Sequence, residues 1–301
     1  VIISLKSVKK LGFLSVTLIA WQGCTTPQGA ELSAGDGVKI TETLSPSTVT
    51  VVQAKPTSGA ADYSHAGRSA KAVWMTCEAP KSKGLVLVNH SDTAGFAPDK
   101  FCTGWLAQTL LQAGWDVVAV NRPGFGGSTG KNDVAGPASI AAIEAGVKAA
   151  TKGRPVTGVM GYSSGVIAAS FWAKKNPGPA WMILGGGIYD SELLAKSPAE
   201  SELKKSLLAQ AKLEGDVAWE ARSIAWDLSG LPKRILIYHG KSNTVVPPSQ
   251  AQSFRDSLAS SEYLVTINIV DGVEHVIPWV NHQQILQVLL KSLDATPPSR
   301  S

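Results

Sequence analysis

Gly161-Tyr162-Ser163-Ser164-Gly165 sets a serine between two glycines, each two residues away. A short apolar run, 156–160, precedes it, and a stretch with helical spacing, 164–175, follows. A serine on a sharp turn from strand to helix has a specific use. The turn lifts the hydroxyl above the sheet edge, and only glycine fits two residues to either side, where side chains would collide. The helix that follows aims its first N–H groups and the positive end of its dipole at the same point, which favours a developing oxyanion. The chemistry this predicts is attack on a carbonyl carbon, with Ser163 as nucleophile and the Ser164 N–H as one oxyanion donor.

Such a turn needs a sheet to carry it. Residues 84–89 (GLVLVN), 115–120, 181–184, 234–238 and 264–270 are short apolar runs fit for strands buried on both faces. Residues 100–113, 137–151, 164–175, 249–260 and 281–293 read as helices. Strand and helix alternate, so the predicted class is α/β, a mostly parallel central sheet with helices on both faces. Right-handed crossovers then bring the strand C-termini to one edge, where ligands bind. One interval, 188–230, is too long for a single crossover and holds two helical patterns, 192–212 and 217–224. It reads as a small helical cap over that edge. Upstream, 38–43, 48–52 and 70–76 read as antiparallel edge strands, with a loose segment containing Pro56, Gly59 and Gly67 between them.

With these residues in place, 70–295 resembles the α/β-hydrolase superfamily. The resemblance implies a chain order of nucleophile, acid and histidine. Asp271-Gly272-Val273-Glu274-His275, after the last strand, is similar to the family's histidine loop and implies His275 as general base. His239-Gly240 resembles a structural pair of the family. The loop His90-Ser91-Asp92 stands where many members have His-Gly, and implies the Ser91 N–H as the second oxyanion donor beside that of Ser164. The turn Arg122-Pro123-Gly124-Phe125-Gly126-Gly127-Ser128 is similar to the family's glycine-rich turn and reads as structural.

The acid departs from the pattern. Where the family usually has Asp, this chain has Asn243. An asparagine can orient His275 through its side-chain oxygen but cannot offset the charge of an imidazolium. In a serine protease the analogous change costs about 10⁴ in turnover. Asp190, just past Gly185-Gly186-Gly187, is the alternative acid, and it also suits the N-cap of a helix starting near 192. Asp271 and Glu274 remain as further alternatives, although both lie close to His275 in the chain.

Function classes narrow accordingly. The resemblance implies acyl transfer to water, first of all carboxylesterase-like hydrolysis of small or medium esters. Peptidase or acyltransferase activity is the alternative, and a catalytically weak binding protein is another. No cofactor is implied, and the sequence has neither CxxC nor HExxH to suggest a metal site. The net charge of +5 is spread over short lysine clusters, which argues against nucleic acid as a partner.

The N-terminus reads as a targeting segment: Lys6, Lys9 and Lys10, an apolar run 11–21, then Gly23-Cys24. It resembles a bacterial lipoprotein processing site, with Trp21 where such sites usually carry Leu, and implies lipidation of Cys24. Ordinary secretion or an uncleaved anchor are the alternatives. The expected organisation is a signal over 1–23, a tether over 24–36 and a hydrolase domain over 37–301. The expected place is the bacterial cell envelope, lipid-anchored or periplasmic, with a membrane as one partner and a small ester as the other. Cys77 and Cys102 either form a disulfide or remain buried thiols.

Overall fold

The chain joins one edge of the sheet, then builds the opposite edge before it reaches the centre. The computed structural model describes residues 51–54 and 56–294 in full, and 32–34 and 39–40 as backbone. Cys24 and the segment around it lie outside the described residues.

β1 (Leu32–Ala34) and β2 (Lys39–Ile40) pair antiparallel. The stretch read as a tether therefore lends three residues to the sheet. Residues 51–52, expected in a strand, are not in one: the Val52 N–H donates to Gln108 Oε1 at 2.8 Å, and Gln108 Nε2 donates to the Val52 carbonyl at 3.0 Å. The segment read as loose is β3 (Thr57–His65), which pairs antiparallel along its whole length with β4 (Arg68–Cys77). Ala66 and Gly67 join them with φ of 48° and 74°, the left-handed pair that a two-residue hairpin turn requires.

The core strands follow in turn: β5 (Leu85–Asn89), β6 (Asp116–Val120), β7 (Val156–Tyr162), β8 (Trp181–Gly185), β9 (Arg234–Gly240) and β10 (Leu264–Val270). The sheet order is β2-β1-β10-β9-β8-β7-β5-β6-β4-β3, and the pairings from β6 to β10 are all parallel. Alternate residues serve opposite faces. Leu85 and Leu87 join one buried cluster with α2 (Pro137–Thr151), α3 (Gly165–Lys175) and α7 (Ser249–Ala259). Val86 and Val88 join the other, with α1 (Trp105–Gln112) and α8 (Trp279–Asp294). Helices thus cover both faces, as the alternation predicts.

Two predicted helices are broken, each for a local reason. Gly104 is extended (ψ 147°) and separates a short 3₁₀ turn, Phe101–Thr103, from α1. In the cap, the pattern 192–212 divides into α4 (Ser191–Lys196) and α5 (Glu202–Glu214). Ser197 precedes Pro198 and is extended (ψ 160°), as a residue before proline prefers. α6 (Val217–Glu220) and a 3₁₀ turn, Ile224–Trp226, complete the cap. Arg222, fully buried, ties it to the body: its guanidinium donates to both Glu214 carboxylate oxygens and to the Asp133 carbonyl.

Cys77 and Cys102 form a disulfide that ties the end of β4 to the turn before α1. The loop it closes spans 25 residues. Restricting the unfolded chain by a loop of that length is worth about 3 kcal/mol. Replacing both cysteines by alanine is expected to lower the urea-unfolding free energy by roughly that amount with little change in the native circular dichroism.

Candidate active site

In the sheet order β6-β5-β7-β8, β5 connects to one side and β7 to the other. Beyond the C-termini of these two strands lies the switch point where open α/β sheets bind ligands. Ser163 directly follows β7 there. Its φ is 57°, a left-handed conformation that costs a non-glycine residue about 1–3 kcal/mol. The bend is held by its own N–H, which donates to the Gly185 carbonyl at 2.9 Å, and by its carbonyl, which accepts from Val166 N–H at 3.1 Å. Both flanking glycines are sterically required. A Cβ on Gly161 would lie 2.3 Å from the Gly165 carbonyl oxygen, and one on Gly165 would lie 2.5 Å from that of Asn89.

That second approach also presses the first turn of α3 against the loop after β5. Ser164, next to the nucleophile, and the loop that carries Ser91 thereby lie against each other. Ser164 opens α3, where the first N–H groups have no partner within the helix. Ser91 lies in the β5 loop, its carbonyl accepting from His90 Nδ1 at 2.7 Å.

His275 is brought to the serine. Its Nε2 lies 3.0 Å from Ser163 Oγ. The loop carrying it is fastened to the turn after β9, with Lys241 N–H donating to the Val270 carbonyl at 2.9 Å and Ser242 N–H to that of Val273 at 3.0 Å. Gly240 permits this approach, since a Cβ there would come within 2.3 Å of the Val273 oxygen. Tyr162, the residue before the nucleophile, donates its hydroxyl to the His275 carbonyl. Burial, reinforced by the neighbouring His239, lowers the His275 imidazole to about 4.

The partner of His275 Nδ1 is Asn243, at 3.0 Å. Asn243 presents its amide nitrogen, not the oxygen expected from the sequence, because its Oδ1 accepts from Val245 N–H at 3.1 Å and Val246 N–H at 2.9 Å. Asp190 is not brought to His275. Its Oδ1 caps α4 by accepting from Leu193 N–H at 2.9 Å, and its Oδ2 accepts from the Trp226 indole at 3.0 Å. The N-cap alternative takes the whole carboxylate. Asp271 pairs in solvent with Lys241, and Glu274 is exposed.

Two contributors were not singled out from the sequence. Arg122, fully buried and read as part of a structural turn, donates through Nη2 to Asp92 at 2.7 Å, to the His90 carbonyl at 3.0 Å and to Ser164 Oγ at 3.2 Å. Ser164 Oγ in turn donates to Asp92 at 3.0 Å. This network joins the two loops that carry Ser91 and Ser164. The only available signal was a charged residue at the end of an apolar strand, which alone does not distinguish a buried ion pair from a surface arginine. Tyr162 had no signal beyond its place next to Ser163.

No protein-family model matches the sequence, and no curated protein is similar to it by sequence. Solved structures do match. A puromycin-hydrolyzing peptidase from Mycobacterium tuberculosis superposes with a TM-score of 0.62 at 16% identity, over 82% of this chain and 40% of that one. An acylaminoacyl peptidase from Pyrococcus horikoshii gives 0.63 at 13% identity, over 84% and 43%. An esterase from Pyrococcus furiosus gives 0.58 at 16% identity, over 80% and 90%. The chain thus spans about two fifths of these peptidases and nearly all of the esterase. The fold is the α/β-hydrolase fold. At these identities the likeness concerns architecture, and the chemistry has to be argued from the site.

Proposed function

We propose that this chain is a serine hydrolase that cleaves esters through an acyl-enzyme on Ser163. The observation that carries the reading is the 3.0 Å contact of Ser163 Oγ with His275 Nε2, made by a serine held at φ 57° at the N-terminus of α3. In this reading His275 takes the Ser163 proton as the hydroxyl attacks the carbonyl carbon. The N–H groups of Ser164 and Ser91 hold the oxyanion, and the leaving group receives the proton from His275. Water then repeats the sequence on the acyl-enzyme and frees the acid.

An ester rather than an amide is our reading within a fold whose solved neighbours include both an esterase and peptidases. Peptide or acyl-transfer chemistry uses the same groups and is the alternative within the fold. The Cys77–Cys102 disulfide favours an oxidising compartment, in line with an envelope location reached through the N-terminal segment and a lipid on Cys24.

A fluorophosphonate probe followed by mass spectrometry tests the reading. The expected result is an adduct on Ser163 that is absent from Ser163→Ala, together with Ser163-dependent release of p-nitrophenol from short p-nitrophenyl esters. A chain that forms no Ser163-dependent adduct is not a serine hydrolase. One observation favours a second reading in that event: His275 faces an amide and not a carboxylate, as in a binding protein that has lost catalysis.

A further inference from the structure

Two of the groups that meet position 243 can only donate. The N–H groups of Val245 and Val246 converge on Asn243 Oδ1. A backbone N–H only donates, so the oxygen of the buried amide is fixed on that side and its NH₂ on the other. Turning the amide over would set its NH₂ against two N–H groups and leave all of them unpaired in a buried site, at about 1–3 kcal/mol for each. The NH₂ therefore faces His275 Nδ1 at 3.0 Å and His239 Nε2 at 3.2 Å.

An NH₂ group has only hydrogens to offer, so His275 Nδ1 accepts. A neutral imidazole that accepts at Nδ1 carries its proton on Nε2, and here that proton points at Ser163 Oγ. A nitrogen already protonated has no lone pair with which to take the serine proton. His239 leads to the same view of the pocket from the other side. Its Nε2 lies 2.8 Å from the Val246 carbonyl, which only accepts, so that nitrogen also carries a hydrogen and meets the Asn243 NH₂ donor to donor. Its Nδ1 is buried without a partner. A carboxylate at 243 would accept from all four neighbours, whereas the amide satisfies only the two backbone groups without forcing a tautomer.

We infer that Asn243 is a positioning residue that holds His275 in its Nε2-protonated form, and that this proton arrangement is what makes acyl transfer at Ser163 slow. The inference rests on the serine-hydrolase reading for its rate and on the hydrogen bonds alone for its tautomer. Both halves of the reaction are affected, because the water that attacks the acyl-enzyme needs the same Nε2 lone pair as Ser163 does.

Two measurements on the full chain test it. Two-bond ¹H–¹⁵N correlation spectra of ¹⁵N-labelled wild type, with His275 assigned by its absence from His275→Gln, report which ring nitrogen is protonated. Hydrolysis of p-nitrophenyl acetate by wild type and Asn243→Asp reports the rate. The expected results are a protonated Nε2 in the wild type, a proton moved to Nδ1 in Asn243→Asp, and a rise in kcat of at least about a hundredfold with little change in KM. The upper scale is the ~10⁴-fold effect of the converse change in a serine protease. A wild type protonated at Nδ1 overturns the inference, and so does a folded Asn243→Asp no faster than wild type. If Asn243→Asp fails to fold by circular dichroism, the wild-type tautomer decides alone. If the tautomer moves as expected but neither protein forms a Ser163 adduct, the rate claim is overturned together with the serine-hydrolase reading, and the spectra show that the failure lies there.

Discussion

Acidification from pH 7.5 to about 4.5 is expected to unfold this domain, with an uptake of about four protons. The reason lies in its histidines. His90 is buried between Phe96 and Phe125 with the Arg122 guanidinium nearby; burial and then that charge lower it to about 3. His239 and His282 are lowered to about 4, in both cases chiefly by burial, and His282 lies among Trp105, Tyr162 and Tyr238. His275 stands at about 4 as well, from burial first and His239 second. In the unfolded chain these imidazoles titrate near 6.5. Between about 6.5 and 4 the unfolded state therefore binds more protons than the native state, and stability falls as the pH falls. It is fully present above the unfolded value and is lost on the way to the native ones. One such group removes about 1.4 kcal/mol per pH unit, and four remove about 5. Domains are stable by only about 5–15 kcal/mol, so one to three units suffice. Urea midpoints measured from pH 7.5 to 5 check this, and a midpoint that stays level across that range would contradict it.

Asp92→Ala is expected to cost about 3 kcal/mol in stability and to depress ester hydrolysis. Arg122 is fully buried, and Asp92 is its charged partner. Removing one member of a buried pair strands the other charge away from water, which typically costs about 3–5 kcal/mol. The lower end applies because the Asp92 side chain retains 17% of its exposure and Arg122 keeps its bonds to the His90 carbonyl and Ser164. The loss reaches the site because Asp92 also accepts from Ser164 Oγ, so one of the links between the loops carrying Ser91 and Ser164 is lost. The double variant Asp92→Ala/Arg122→Met removes both charges and is expected to be more stable than Asp92→Ala alone. Chemical denaturation of the three proteins separates this from simple loss of packing, for which the double variant would be the least stable.

What the sequence revealed follows from which physics is local. The elbow was legible because its two glycines answer to a clash within the pentapeptide itself. The core strands were legible because burial on both faces leaves a run such as Leu85–Val88 wholly apolar. β3 was hidden because it is an edge strand: its exposed and half-buried positions carry Gly59, Ala60, Asp62 and Ser64, and its turn is Ala-Gly rather than Asn-Gly. Asp190 misled because capping a helix and orienting a histidine call for the same side chain. Only its neighbours Leu193 and Trp226 show which task is filled. The direction in which Asn243 points was equally beyond reach, since two backbone N–H groups decide it. Arg122 was hidden because its partner, Asp92, lies 30 residues away.

Ser163 and His275 are 112 positions apart, and the strand that delivers the histidine, β10, is the last to be added. A ribosome working at about 5–20 residues per second releases the serine between about 5 and 20 seconds before its partner. Throughout that interval the serine has no group to work with it. Neither Tyr162 nor Gly240 can fasten a loop that has not yet been made. The site is therefore a late product of synthesis, and a chain cut short between β9 and His275 carries a nucleophile without a base.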